Sequence, residues 1–176
     1  MFTHVFTKVS TKVLVLVLLA ALAAYAREPR PLADVPIPVP AGKKIRIQQY
    51  AGKVVLLVIF STGCTDCIAA MELINKVQKE YGAKGFQAIG AAGDDNAQYL
   101  VGPFVQRYKI TFPVGYVTPD EMIKLGDIPK NKRPTAPIFL FIDKRSVVRF
   151  QYYGDDPFFK TVDGSTHSIV EGLLKQ

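Results

Sequence analysis

The sequence predicts an α/β fold, in which a sheet with parallel strands is flanked by helices and closed by an antiparallel hairpin. Apolar runs of strand length alternate with longer segments of helical periodicity, and this alternation is typical of parallel sheets covered by helices. The last two apolar runs are instead separated by a short polar turn, which predicts a hairpin. The length of 176 residues is that of one domain.

An export signal is predicted at the N-terminus. Two lysines precede an uninterrupted apolar run of 12 residues, and Ala24-Tyr25-Ala26 has small residues at the spacing of a cleavage site. We therefore predict a signal peptide over residues 1–26 and a protein that is periplasmic or secreted. The run is shorter than the roughly 20 residues that span a membrane. An uncleaved membrane anchor is the alternative that stays open.

The first half of the remaining chain predicts two strands and a helix. Residues 27–42 are Pro-rich and are expected to form an extended, poorly packed linker, so the folded domain is predicted over 43–176. The segment 43–48 alternates weakly and is predicted as an edge strand. The continuous aliphatic run 54–60 suits a central strand that is buried on both faces. The segment 65–81 has an apolar helical face and is followed by glycines, so it is predicted as a helix.

The second half of the chain continues the alternation of strands and helices. The run 86–92 predicts a second central strand. Asp94-Asp95-Asn96 then offers N-cap side chains for a helix that continues to Tyr108. The elements expected after it are, in order, a strand over 112–117, a short helix over 119–125, a loop over 130–136, strands over 138–142 and 147–153, and a helix over 161–175.

The two cysteines, Cys64 and Cys67, lie three residues apart where the first central strand passes into the first helix. Helix N-termini carry unpaired N–H groups and partial positive charge, so they stabilise a thiolate. Three residues along a helix bring Cys67 onto the same face, one turn further in. We predict that Cys64 is the exposed nucleophile that attacks a disulfide, and that Cys67 is the shielded thiol that resolves the mixed disulfide.

Composition argues against several other classes of site. A zinc site needs four ligands, and the only histidines that could join the cysteines are His4, which leaves with the signal peptide, and His167. The signal peptide holds two of the 22 Lys and Arg and none of the 15 Asp and Glu, so the remainder has a net charge of +5. Its basic residues are scattered apart from a cluster at 130–133, without the aromatic-interleaved stripe of nucleic-acid binders. We expect no cofactor, no metal and no nucleic-acid partner.

Three ordered segments resemble the TlpA/ResA group of thioredoxin-like thiol–disulfide oxidoreductases. Residues 51–67 are similar to the group's G-K-V-V-L-x-x-F-W-A-T-W-C-x-x-C run, residues 108–114 to its Y-x-(I/V)-x-x-(F/Y)-P segment, and residues 137–143 to its P-x-x-F-L-I-D strand. The resemblance covers roughly residues 43–175. It implies a thioredoxin fold, with a central mixed β-sheet flanked by helices. It also implies protein dithiol or disulfide substrates, such as apocytochrome cysteines, and a membrane-bound or soluble thiol reductant, and we expect a monomer.

The resemblance also implies site residues beyond the cysteines. In this group a cis proline faces the cysteine pair, and by position it is Pro137, with Pro134 as the alternative. The backbone of Ala136 would then be free to pair with a bound substrate strand. Gly63 stands where the group has a tryptophan at the contact surface. Asp66 lies between the cysteines, where its charge would oppose the helix dipole and make the pair more reducing. The alternative is that Asp66 caps the first turn of the helix.

The chain departs from its relatives at the carboxylates that usually handle protons. The Glu that the group often has six residues after the first cysteine is Ala70 here, and the buried Asp that thioredoxins have six residues before it is Val58. These departures leave open a non-enzymatic thioredoxin-fold binding module. A peroxiredoxin-like peroxidase is also open because that class shares the fold, but its Pro and Thr before the cysteine are Leu57 and Ser61 here.

Overall fold

A computed structural model of the protein describes residues 29–40, 42–129 and 131–176, so the predicted signal peptide lies outside the described residues. The strands are β1 (Arg30–Pro31), β2 (Ile37–Pro38), β3 (Lys44–Ile45), β4 (Val54–Phe60), β5 (Phe86–Ala92), β6 (Val114–Tyr116), β7 (Ile138–Ile142) and β8 (Val147–Tyr152). The helices are α1 (Thr65–Tyr81), α2 (Ala97–Arg107), α3 (Pro119–Gly126) and α4 (Val162–Leu174). Short 3-10 helices span Ile47–Tyr50, Gly82–Lys84 and Pro157–Thr161.

The central sheet has six strands in the order β1-β8-β7-β4-β5-β6. The pairs β4–β5 and β5–β6 are parallel, whereas β7 is antiparallel to both β4 and β8, and β1 is antiparallel to β8. The predicted fold class, a mixed sheet flanked by helices with a closing hairpin, is confirmed. In the middle of the sheet Val58 pairs with Gly90 on one side and with Phe139 on the other.

The apolar core lies on both faces of β4, because all seven of its residues are buried and successive side chains point to opposite faces. One face packs against α1, α2 and α4, and the other packs against the N-terminal segment and α3. The first face carries Val54, Leu56, Val58 and Phe60, and the second carries Val55, Leu57 and Ile59.

The Pro-rich segment is part of the fold, so the expectation of a poorly packed linker is wrong for residues 29–40. Leu32, Val35 and Ile37 are buried against the second face of the sheet, and β1 and β2 are paired strands. The physical reason is that these apolar side chains alternate with prolines, which are tolerated in edge strands because no ladder donor is lost there. The predicted edge strand over 43–48 is also wrong in extent: only β3 forms a strand there, it pairs with β2 outside the central sheet, and a 3-10 helix begins at Ile47.

The other predicted strands and helices agree with the structure to within two residues at either end. The N-cap of α2 lies within the predicted Asp94-Asp95-Asn96, but the expected side-chain capping bond is not formed. The N-cap of α2 is Asn96, which has a positive φ of 63° and forms no side-chain capping hydrogen bond. Its neighbour Asp94 does not cap α2 with its carboxylate either, because that group is directed at the turn after β4.

The helices α1 and α4 are joined by a charged cluster at His167, which predicts a pH-dependent contribution to stability. The His167 ring lies 3.2 Å from a Glu80 oxygen and 3.1 Å from an Asp163 carboxylate oxygen. A hydrogen bond to the Asp163 backbone, together with both carboxylates, raises the pKa of His167 above its ordinary value. A raised pKa in the folded state stabilises the fold below the unfolded value of about 6.5, and this stabilisation is lost as pH rises through the folded value.

We therefore expect His167→Gln to lower the free energy of unfolding by less than about 1 kcal/mol near pH 5.5, because the partners of His167 are partly exposed. The loss should shrink towards zero near pH 9, and it is measured by urea unfolding at both pH values. A matched Glu80→Gln variant should show the same trend with pH. A loss that is equal at the two pH values would contradict the assignment.

Candidate active site

The cysteine pair lies where β4 ends and α1 begins. Cys64 is the N-cap of α1, with extended backbone angles (φ −88°, ψ 119°), and its sulfur accepts a hydrogen bond of 3.2 Å from the backbone N–H of Cys67. The sulfur thus satisfies one of the N–H groups that a helix leaves unpaired at its start. It is held at the positive end of the helix dipole.

The two thiols differ in burial. Cys67 is fully buried, whereas Cys64 is only partly covered. Burial raises the pKa of Cys67, and the hydrogen bond with Cys64 raises it further, so Cys67 remains a protonated thiol at neutral pH. A backbone hydrogen bond from Ser61 acts in the opposite direction. This geometry matches the predicted placement of an accessible Cys64 above a shielded Cys67.

Asp94 ties the end of β5 to the turn before Cys64. Its carboxylate accepts a hydrogen bond of 2.5 Å from the Ser61 hydroxyl and one of 2.8 Å from the backbone N–H of Thr62. The contact is possible because parallel neighbours such as β4 and β5 end at the same edge of the sheet. Sequence reasoning assigned Asp94 to helix capping and missed this role. The signal that could have found it is a carboxylate directly after the strand next to β4.

The peptide bond between Ala136 and Pro137 is cis, as the resemblance implied, and Pro134 is therefore not the cis proline. This bond leads directly into β7, the neighbour of β4. Gly154, two residues after β8, lies close against this bond, since a Cβ on Gly154 would be 2.5 Å from the Ala136 carbonyl oxygen. The N–H of Gly154 donates to the Thr135 carbonyl at 2.7 Å. Within the described part of the chain, the Ala136 backbone forms no hydrogen bond of its own.

Two cavities flank this bond. The larger, of about 440 Å³, is bordered by Asp66 and Pro137, so the structure brings these two predicted site residues to one space. The smaller, of about 90 Å³, is bordered by Ser61 and Ala136. The larger cavity is completed by Ala69, Ala70, Leu73, Gly154, Asp155, Asp156, Phe159, Lys160 and Val162.

Gly63 and Asp66 lie on the exposed side of the pair. A Cβ on Gly63 would meet no atom within 4 Å apart from its chain neighbours, so the space beside Gly63 is open. Asp66 is exposed in the first turn of α1, but the capping group is the Cys64 sulfur. The alternative in which Asp66 caps the helix is therefore wrong. Its carboxylate adds a small charge effect to those that raise the pKa of Cys67, after burial and the Cys64 contact.

The described residues hold neither a metal-binding cluster nor a membrane-spanning helix. Over 29–40, 42–129 and 131–176, no group of three His, Cys, Asp or Glu side chains is arranged to hold a metal ion. None of the helices in these ranges is both long and apolar enough to cross a membrane.

Comparison with known proteins places the chain in a family. The AhpC/TSA family model matches residues 30–151. The thiol–disulfide oxidoreductase ResA of Bacillus thuringiensis subsp. konkukian is 33% identical over 115 residues, which cover 65% of this chain and 62% of that protein. ResA of Bacillus thuringiensis strain Al Hakam is 30% identical over 135 residues, which cover 77% of this chain and 69% of that protein. The chain thus spans somewhat under two thirds of the first of these relatives.

Solved structures agree on the fold. A thioredoxin family thiol:disulfide interchange protein from Chlorobium tepidum superposes with a TM-score of 0.70 at 21% identity, covering 84% of this chain and 98% of that one. A DsbF homologue from Corynebacterium diphtheriae superposes with a TM-score of 0.68 at 16% identity, covering 83% and 88%. At these identities the likeness shows a shared thioredoxin fold. Together with the family match and the ResA relatives it confirms the resemblance found in the sequence, and the chain belongs to the AhpC/TSA family, among thioredoxin-fold proteins of the TlpA/ResA type.

Proposed function

We propose that the protein is an exported thiol–disulfide oxidoreductase, which exchanges disulfides with protein substrates through Cys64-Thr65-Asp66-Cys67. The observation that carries the proposal is the pairing of a partly exposed Cys64 sulfur, held at the start of α1, with a fully buried Cys67 one turn further in. That pairing provides one thiol to attack and a second to resolve. Export rests on the predicted signal peptide over 1–26.

The reaction follows from the positions of the two sulfurs. The Cys64 thiolate attacks one sulfur of a substrate disulfide, the substrate S–S bond breaks, and the other substrate sulfur leaves as a thiolate. Cys67 then loses its proton to water and attacks the Cys64 sulfur. A Cys64–Cys67 disulfide forms, the mixed disulfide breaks, and the substrate has gained two electrons. A membrane-bound or soluble thiol reductant restores the dithiol by the same steps in reverse.

The substrate surface is proposed to be formed by Gly63, Ala136 and Pro137. The open space at Gly63 admits a folded or extended protein segment to Cys64. The Ala136 backbone, which has no hydrogen bond among the described residues, is available to pair with an extended substrate strand. The larger cavity beside Pro137 offers room for a neighbouring substrate side chain. These features favour a protein substrate over a small molecule.

Asp66 is proposed to make the pair more reducing, because its carboxylate disfavours the thiolate form of Cys67. Asp66→Ala should then raise the reduction potential by about 10–30 mV, which is up to about tenfold in the exchange equilibrium with glutathione. Glu72→Ala is the matched control, since Glu72 is an exposed carboxylate further along α1. An equal reduction potential in the wild type and in Asp66→Ala would show that Asp66 does not tune the cysteine pair.

The experiment that tests the function compares two substrates. The protein without residues 1–26 is assayed for reduction of insulin disulfides with a dithiol as electron source, and separately for consumption of hydrogen peroxide. The proposal expects Cys64-dependent insulin reduction and little peroxide turnover. The AhpC/TSA family match is the observation that favours a peroxidase as the second candidate. Peroxide turnover without disulfide reduction would establish that alternative, and a pair that dithiothreitol cannot reduce in the native protein would indicate a binding module.

A further inference from the structure

Asp94 has no part in the chemistry described above, yet both of its carboxylate oxygens are directed at the turn that precedes Cys64. One accepts the Ser61 hydroxyl at 2.5 Å and the other accepts the Thr62 N–H at 2.8 Å. Hydrogen bonds to a charged acceptor are stronger and more directional than neutral ones. Ser61, Thr62 and Asp94 are all partly buried, so water competes less for these bonds.

The turn that Asp94 holds is hydrogen-bonded to Cys64, which in turn contacts Cys67. The Ser61 carbonyl accepts the N–H of Cys64 at 3.2 Å. On the other side of Cys64, its sulfur accepts the backbone N–H of the buried Cys67 at 3.2 Å. Ser61 is therefore the residue through which a shift of the turn would change the placement of Cys64 relative to the buried Cys67. Its side chain is fixed by Asp94, which lies 33 residues away in the sequence.

The competing explanation is that Asp94 only starts α2. The capping residue of α2 is Asn96, and what Asp94 contributes there is its backbone carbonyl, which accepts the N–H of Ala97 at 3.2 Å. A backbone contact of that kind needs no carboxylate. The next residue, Asp95, is exposed, and no hydrogen bond to its side chain occurs within the described ranges. The carboxylate of Asp94 is thus specifically committed to the turn before the cysteines.

We propose that Asp94 is a positioning residue for the resolving step, because it holds the turn whose Ser61 carbonyl fixes the backbone of Cys64 beside the buried Cys67. The inference rests on the proposed thiol–disulfide exchange. In the step concerned, Cys67 gives its proton to water, and its sulfur bonds to the Cys64 sulfur. The bond from Cys64 to the substrate breaks, and the substrate sulfur leaves with the electron pair and takes a proton from water. Attack by Cys64 on the substrate precedes this step and does not require the Cys64 and Cys67 sulfurs to be aligned with each other.

The test separates the two steps in a single turnover. The reduced protein is mixed with a disulfide-bonded peptide and quenched with acid at intervals. Mass spectrometry then follows the mixed disulfide and the final Cys64–Cys67 disulfide. In Asp94→Ala the resolving step should slow roughly tenfold, while attack changes by less than about twofold, because small displacements of positioned groups carry penalties of this size. Asp95→Ala is the matched control and should slow neither step.

Ser61→Ala provides an independent check, since it removes one of the two hydrogen bonds and keeps the backbone. It should slow resolution less than Asp94→Ala and in the same step, and it decides the question if Asp94→Ala does not fold. Unchanged resolution in these variants, or equal slowing of attack and resolution, would overturn the positioning role. Failure of the wild-type protein to reduce any disulfide would instead refute the proposed function, so the two failures are distinguishable.

Discussion

Replacing Cys67 with serine is expected to trap the protein on its substrate. Cys64 remains able to attack a disulfide, but no second thiol is present to release the mixed disulfide. Covalent adducts that dissolve on treatment with dithiothreitol should therefore accumulate on a non-reducing gel. Catalytic reduction of insulin disulfides should fall by more than about a thousandfold, because the missing group takes part in bond formation.

The matched variant Cys64→Ser should lose catalysis to the same extent without forming any adduct, because the remaining Cys67 thiol is fully buried. Cys67→Ala serves as a second version of the trap, in which no hydroxyl is introduced into the apolar site. Adducts in Cys64→Ser but not in Cys67→Ser would show that the nucleophile and the resolving thiol are interchanged.

Replacing Asp143 with alanine is expected to cause the largest loss of stability among single substitutions that remove a charge from the β7–β8 hairpin. Asp143 is only 4% exposed and sits between β7 and β8. Its carboxylate accepts the backbone N–H groups of Arg145 and Val147 at 2.8 and 3.0 Å and the Arg149 guanidinium at 2.7 Å. Removal leaves these donors and a partly buried charge without their acceptor, which costs about 3 kcal/mol.

The measurement is the free energy of urea unfolding at neutral pH and again in acid. Burial alone would raise the pKa of Asp143, but the two backbone donors and Arg149 outweigh burial, and the pKa is lowered. A lowered pKa gives stability above the unfolded value of about 3.9 that is lost as pH falls through the folded value. The difference between wild type and Asp143→Ala should therefore narrow below about pH 4. The exposed Asp155→Ala is the control, and an equal loss there would contradict the argument.

The elements predicted well from the sequence are those whose signal is local. The apolar run of β4 and the helical periodicity of α1 each define the ends of their own element. The position of the cysteine pair, where the strand passes into the helix, follows from those ends. The resemblance supplied the cis bond at Pro137, which neither composition nor periodicity indicates. The cysteine pair and this proline are together enough to locate the candidate site in the amino-acid sequence.

The features that sequence reasoning missed depend on contacts between distant parts of the chain. The segment with Leu32, Val35 and Ile37 is too short and too rich in proline to show a hydrophobic periodicity. It is part of the fold because these side chains pack against the second face of the sheet. Asp94 is a residue type that often caps helices, so its local sequence suggests that role. Its hydrogen bond with Ser61 forms because the ends of β4 and β5 lie side by side in the sheet. Local sequence propensity does not include hydrogen-bonding and packing partners that are distant in the sequence and that only the fold brings together.

The burial of β4 on both faces affects how its register with the neighbouring strands is fixed. A strand with one polar face cannot slip by one residue without burying that face, so its register is fixed by hydrophobicity. β4 is apolar on both faces, and a one-residue slip would merely exchange two sets of aliphatic side chains. The register of β4 must then be set by polar contacts at the end of the strand. The hydrogen bonds that Ser61 and Thr62 donate to Asp94 are contacts of this kind. The same carboxylate that steadies the turn beside the cysteines would thus also lock β4 in register with β5.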